Sequence, residues 1–138
     1  MRKGIVVLAS LLCLGASPGF AQDQKADPFK GKLFAPNVIL EHRDELKLTK
    51  QQFTDIRVAV VDVQANVAEF EWDVAEAYQQ LMAELDKSPI DENVVLQHVN
   101  AALKAENEVK KLQVAMLVRL KNLLTDEQIG YLESVKDE

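Results

Sequence analysis

From Phe53 onward the apolar residues fall at alternating steps of three and four: Phe53, Ile56, Val60, Val63, Val67, Phe70, Val74, Ala77 and Leu81. That spacing holds them on one helical face and forms the heptad seam of a helix packed lengthwise on a partner. No Gly or Pro interrupts the stretch between Gln51 and Ser88. The pattern therefore predicts one helix of about 36 residues, roughly 54 Å long. A second stripe follows the same alternation, with Val58, Val61, Ala65, Ala68, Trp72, Ala75 and Met82, missing only at Gln79. Its centre lies roughly 150° around the helix from the first. Asp55, Asp62, Glu69 and Glu76 line its edge, one per heptad. A helix with two opposed apolar stripes packs on both sides, or packs on one and offers the other.

Lys87-Ser88-Pro89-Ile90-Asp91 stops this helix, and Ser88 and Asp91 are both candidate caps for the next. The next helix is predicted from about Glu92 to Leu123, again without Gly or Pro. Its seam reads Val95, Val99, Ala102, Glu106, Val109, Gln113, Met116, Leu120 and Leu123. Glu106 and Gln113 are polar intruders of the kind that fix register at some cost in stability. Leu112 to Leu124 is apolar almost all round, which predicts cover on more than one side. Ahead of the long helices, Val38, Ile39, His42 and Leu46 are spaced for a short amphipathic helix over Phe34–Leu46, starting at Pro36 or Asn37. The polar stretch 22–33, with Pro28 and Gly31, has no such pattern and reads as a flexible leader.

One phrase occurs twice: Leu48-Thr49-Lys50-Gln51-Gln52 and Leu124-Thr125-Asp126-Glu127-Gln128. Each L-T-x-x-Q is a helix start, with Thr at N-cap accepting from the N3 amide and Gln at N3 reaching back to the N-cap amide. The pairs Leu48/Phe53 and Leu124/Ile129 occupy the two positions of a hydrophobic staple. The second copy opens a last helix from Asp126 to about Lys136. A short connection between two long helices makes them antiparallel neighbours. The predicted fold is all-α: an elongated antiparallel helical hairpin with short N- and C-terminal flanking helices.

The ends and the charge narrow the class. Arg2 and Lys3, the apolar run Ile5–Leu14 and the small-residue region ending at Ala21 read as a cleaved secretory signal, residues 1–21. The apolar run is roughly half the ~20 residues that a membrane span needs. Cleavage removes Cys13, the only cysteine, and with it any disulfide or thiolate chemistry. Losing the two cations Arg2 and Lys3 takes the net charge from −6 to −8. An acidic exported domain, residues 34–138, is a poor partner for nucleic acid or anionic lipid.

Catalytic signatures are missing. There is no Gly-rich phosphate loop, no G-x-S-x-G, no H-E-x-x-H and no EF-hand loop, so an enzyme is not expected and no cofactor is called for. The line Asp55/Asp62/Glu69/Glu76 spaces its carboxylates about 10.5 Å apart, too far for one ion. His42, with Glu41 and Glu45 beside it, is the one candidate for weak Zn²⁺ or Cu²⁺ binding, given a further ligand from elsewhere. Against that stands a half-buried histidine with acidic neighbours. His98, beside Val99, reads as a packing histidine. Trp72, off the main seam, suits partner contact and core packing equally.

With both L-T-x-x-Q copies in order behind an export signal, the chain resembles the Spy/CpxP family of periplasmic proteins, including the zinc-resistance-associated and heavy-metal-sensor branch. Leu48, Thr49, Gln52, Leu124, Thr125 and Gln128 carry the resemblance, and Leu117–Thr125 resembles the sensor branch. The resemblance implies an all-helical homodimer shaped as a cradle, located in the periplasm. It implies an ATP-independent chaperone of the envelope stress response that binds unfolded or damaged proteins, or a heavy-metal sensor or resistance protein with a membrane signalling partner. For the chaperone, Val58, Val61, Ala65, Ala68, Trp72 and Met82 would form the client surface, unless the dimer interface takes them. Arg57, Lys104, Lys110 and Lys111 would add polar capture. For the sensor, His42, Glu45 and Met116 would be the metal residues. Leu46 and Leu112 stand where the sensor pattern has histidines.

Overall fold

The computed structural model describes residues 27–135. The expected signal, residues 1–21, the beginning of the leader and residues 136–138 lie outside them. Four helices follow in order: α1 (Pro36–Glu41), α2 (Lys50–Leu85), α3 (Glu92–Asn122) and α4 (Asp126–Val135). No strand forms among the described residues, where one isolated bridge joins Lys30 and Leu33. The protein is all-α, and none of the described helices is long and apolar enough to cross a membrane.

α1 is shorter than its pattern predicts. Pro36 occupies its first turn, where a fixed φ and a missing N–H cost little. At His42 the chain leaves helical dihedrals (φ −100°, ψ 18°), and residues 42–47 continue as turns. Leu48 N–H donates to the Arg43 carbonyl and Lys47 N–H to the Asp44 carbonyl, the two bonds of a Schellman stop. Such a stop needs a left-handed residue, and Lys47 supplies it with φ 52°. A side chain disfavours that region, which is why glycine usually holds it. Lys47→Gly is accordingly expected to raise stability by up to about 1 kcal/mol, read from urea unfolding.

α2 and α3 are the helices that pack most extensively. Asp62 on α2 pairs with Arg119 on α3 (3.2 Å), and Tyr78 further along α2 donates to Glu106, nearer the start of α3 (3.2 Å). Asp91 caps α3, its carboxylate accepting from the amides of Asn93 and Val94. Of the two polar intruders on the α3 seam, Glu106 thus has a partner in Tyr78, whereas Gln113 is exposed.

The core sits at one end. Phe34, Ile39, Leu46, Ile56, Leu120, Leu124 and Leu132 form one buried cluster that draws on all four helices. Further along the α2–α3 pair only Val63, Ala77, Leu81, Ala102 and Ala105 are buried apolar residues, a single thin layer between two helices. Phe53, the first residue of the seam, departs from the pattern and is 42 % exposed. Its position is set by the staple: with Leu48 it lines a surface hollow beside Arg43 and Lys50. In the second copy Leu124 is buried and Ile129 packs on the core. Within the leader, residues 27–33 form turns, and Lys121 Nζ donates to the Lys32 carbonyl (2.7 Å) while lying over the Phe34 ring.

The Glu106 carboxylate beside the Tyr78 hydroxyl raises the tyrosine pKa above its usual 10, first by charge repulsion of the phenolate and then through the hydrogen bond. A pKa raised on folding favours the native state at pH below the unfolded value of 10. That contribution is lost as pH climbs through the folded value. Ultraviolet titration of the phenolate is expected to place Tyr78 above 10, and Glu106→Gln to return it toward the ordinary range.

Candidate functional site

The two L-T-x-x-Q phrases fold as their spacing predicts and then meet. In the first, Thr49 Oγ1 accepts from Gln52 N–H (3.0 Å) and Gln52 Oε1 accepts from Thr49 N–H (3.1 Å). In the second, Thr125 Oγ1 accepts from Gln128 N–H (3.2 Å) and Gln128 Oε1 from Thr125 N–H (2.9 Å). Both are complete capping boxes. Across the gap, Gln52 Nε2 donates to Gln128 Oε1 (2.8 Å) and Gln128 Nε2 donates to Gln52 Oε1 (3.2 Å).

Each glutamine makes one further bond. Gln52 Nε2 donates to the Leu123 carbonyl (2.9 Å), the C-cap of α3. Gln128 Nε2 donates to the Leu46 carbonyl (3.0 Å), which closes the turns after α1. A carboxamide has two N–H donors and an oxygen with two lone pairs. All four are used in both side chains. The motif is therefore a clamp: two amides, back to back, join the starts of α2 and α4 to the chain ends leaving α1 and α3. Replacing either cap threonine, Thr49→Ala or Thr125→Ala, is expected to cost about 1 kcal/mol each in urea unfolding.

The three candidate metal residues sit in different settings. His42 packs edge-on against Tyr131, with ring centroids 5.6 Å apart. Glu45 is exposed in the turn that follows. Met116 lies on α3 against the apolar core. Among the described residues, no three or more His, Cys, Asp or Glu side chains are grouped to hold a metal ion. His98 is half-buried on α3, in keeping with a packing role.

The second stripe of α2 is uncovered. Val58, Val61 and Met82 are 59 %, 57 % and 56 % exposed, Trp72 is 77 % exposed, and Ala65, Ala68 and Ala75 are exposed between them. Neither α1, α3 nor α4 covers this face, so Trp72 is not a core residue of the chain. A monomer seldom leaves an apolar stripe of this length bare without a use for it.

Neither phrase taken alone shows the glutamine crossing. Its signal was present in the repetition of the phrase, because two capped starts with the same N3 residue can meet as a symmetric pair. No known family model, curated protein or solved structure matches the chain.

Proposed function

We propose that this chain is an exported, non-enzymatic binding protein similar to the Spy/CpxP family, acting as an ATP-independent chaperone for unfolded periplasmic proteins. In this reading α2 and α3 form an elongated antiparallel hairpin, two copies associate into a cradle, and the outer face of α2 meets the client. The supporting observation is the apolar stripe from Val58 to Met82, with the Trp72 indole largely in solvent. An unfolded segment offers apolar side chains at irregular spacing. A row of small, branched and aromatic groups together with a flexible methionine can accept many such arrangements. The clamp at the base keeps the helix that carries the stripe in place without occupying the stripe.

The deciding measurement is aggregation of a denatured client, followed by light scattering without nucleotide. Suppression by the protein, lost on Trp72→Ala with Val61→Ser, supports the reading. A client that aggregates equally with and without the protein sinks it. Both substitutions fall on exposed positions, so circular dichroism is expected to stay unchanged and to separate lost binding from lost folding.

A further inference from the structure

The uncovered face of α2 carries a charge pattern that specifies its occupant. Between Arg57 and Lys87 the sequence has no Lys or Arg, yet it has seven acidic residues: Asp62, Glu69, Glu71, Asp73, Glu76, Glu84 and Asp86. Asp62 is neutralised by Arg119 and Glu84 by Lys87. The four nearest Trp72 are different. Glu69, Glu71, Asp73 and Glu76 are all exposed, and none makes an ion pair among the described residues; Glu76 accepts only from Gln80 Nε2.

Helical spacing places Glu69 and Glu76, three before and four after Trp72, on one shoulder of the indole together with Asp73. Glu71 lies on the other shoulder. From α3, Lys104 borders the same hollow as Asp73 and Glu76, and Lys110 the same hollow as Glu71. Glu108 and Glu106 line those hollows too, the first paired with Lys111 and the second bonded to Tyr78, so the four α2 carboxylates without an ion pair face two lysines around an indole that is 77 % exposed.

We infer that the outer face of α2 selects basic, apolar polypeptide segments, with Trp72 receiving an arginine or lysine among the flanking carboxylates. The inference rests on the chaperone reading and names its substrate class. An indole face attracts a cation directly, and neighbouring carboxylates add to that attraction. Acidic segments meet repulsion along the same face, and unlike the apolar contact this term discriminates. The face from Val58 to Met82 runs roughly 36 Å, enough for about eleven extended residues.

The test uses two labelled, tryptophan-free peptides of about eleven residues with identical Leu and Phe positions. One carries Arg and Lys between them, the other Glu and Asp. Peptide anisotropy reads binding and Trp72 emission reports the face directly, since it is the only tryptophan. The basic peptide is expected to bind about tenfold more tightly. The preference should vanish at about 0.5 M salt, where screening acts within about 5 Å, and in the combined variant Glu69→Gln, Glu71→Gln, Asp73→Asn, Glu76→Gln.

Equal binding of the two peptides overturns the inference, as does a preference that survives in the amide variant. So does a Trp72 emission that shifts on dilution while sedimentation shows dissociation, because a second copy then holds the face. Suppression of client aggregation regardless of client charge overturns the selectivity and leaves the chaperone reading standing. Failure to suppress any client removes both.

Discussion

Gln128→Ala is expected to destabilise the protein by about 3 kcal/mol, far more than a surface glutamine would. The side chain is 9 % exposed and makes four hydrogen bonds. Truncation leaves the Leu46 carbonyl and the Thr125 amide without their side-chain partner, and it takes one bond each from Gln52 Nε2 and Oε1, which keep the Leu123 carbonyl and the Thr49 amide. Buried groups orphaned this way cost about 1–3 kcal/mol each, less where water reaches them. Water can reach the Gln52 side, because Gln52 is only half-buried, and that holds the sum near the lower end. Gln52→Ala should therefore cost less than Gln128→Ala. The double variant should cost less than the two singles added, because the amide–amide pair can be lost only once. Urea unfolding of the four proteins gives the coupling directly. A coupling below about 0.5 kcal/mol would mean the two amides do not act as a unit.

Leu120→Ala should be as damaging, at about 3–4 kcal/mol. Leu120 has no exposed surface and lies in the cluster with Ile39, Ile56 and Leu132, each from a different helix. Removing it opens a cavity where four elements converge, and the clamp just outside limits how far they can collapse into it. At the other end of the α2–α3 pair, Ala102 and Ala105 already fill the layer with small side chains. Substitutions of residues that are merely half-buried there, such as Val74→Ala, should cost far less. The comparison places most of the folding free energy in the base. Hydrogen exchange would show it as slow amides around Ile56 and Leu120 and faster ones toward Leu85 and Glu92.

The long helices were legible because their signal is local and repeated: the Ile56-to-Leu81 seam, no Gly or Pro, and a cap whose partners are three residues away. A partner distant in sequence leaves no such local mark. Gln52 and Gln128 are 76 positions apart, and nothing in either phrase says which side chain the spare donor will find. The early end of α1 was hidden for another reason. Its left-handed stop is held by Lys47, a residue that carries none of the usual marks of one. Phe53 fits the periodic seam and yet is diverted to a surface staple, so a one-dimensional pattern overcounted the core by one aromatic ring. Met116 is a candidate metal residue only through the resemblance to the sensor branch. The structure puts it against aliphatic carbon, where thioether packing is its ordinary use.

The joint that fastens the four chain ends is made wholly of neutral carboxamides and peptide groups. None of its atoms gains or loses a proton across the range in which proteins stay folded, and none carries a charge for salt to screen. An ion pair in the same place would loosen in acid or brine. This fastening has no such dependence, so the base of the molecule should hold its geometry as the surrounding fluid changes. Acidity and ionic strength act instead on the charged contacts farther along the pair, Asp62 with Arg119 and Tyr78 with Glu106, and on the carboxylates along α2. Those contacts can vary with the medium while the fastening at the base does not.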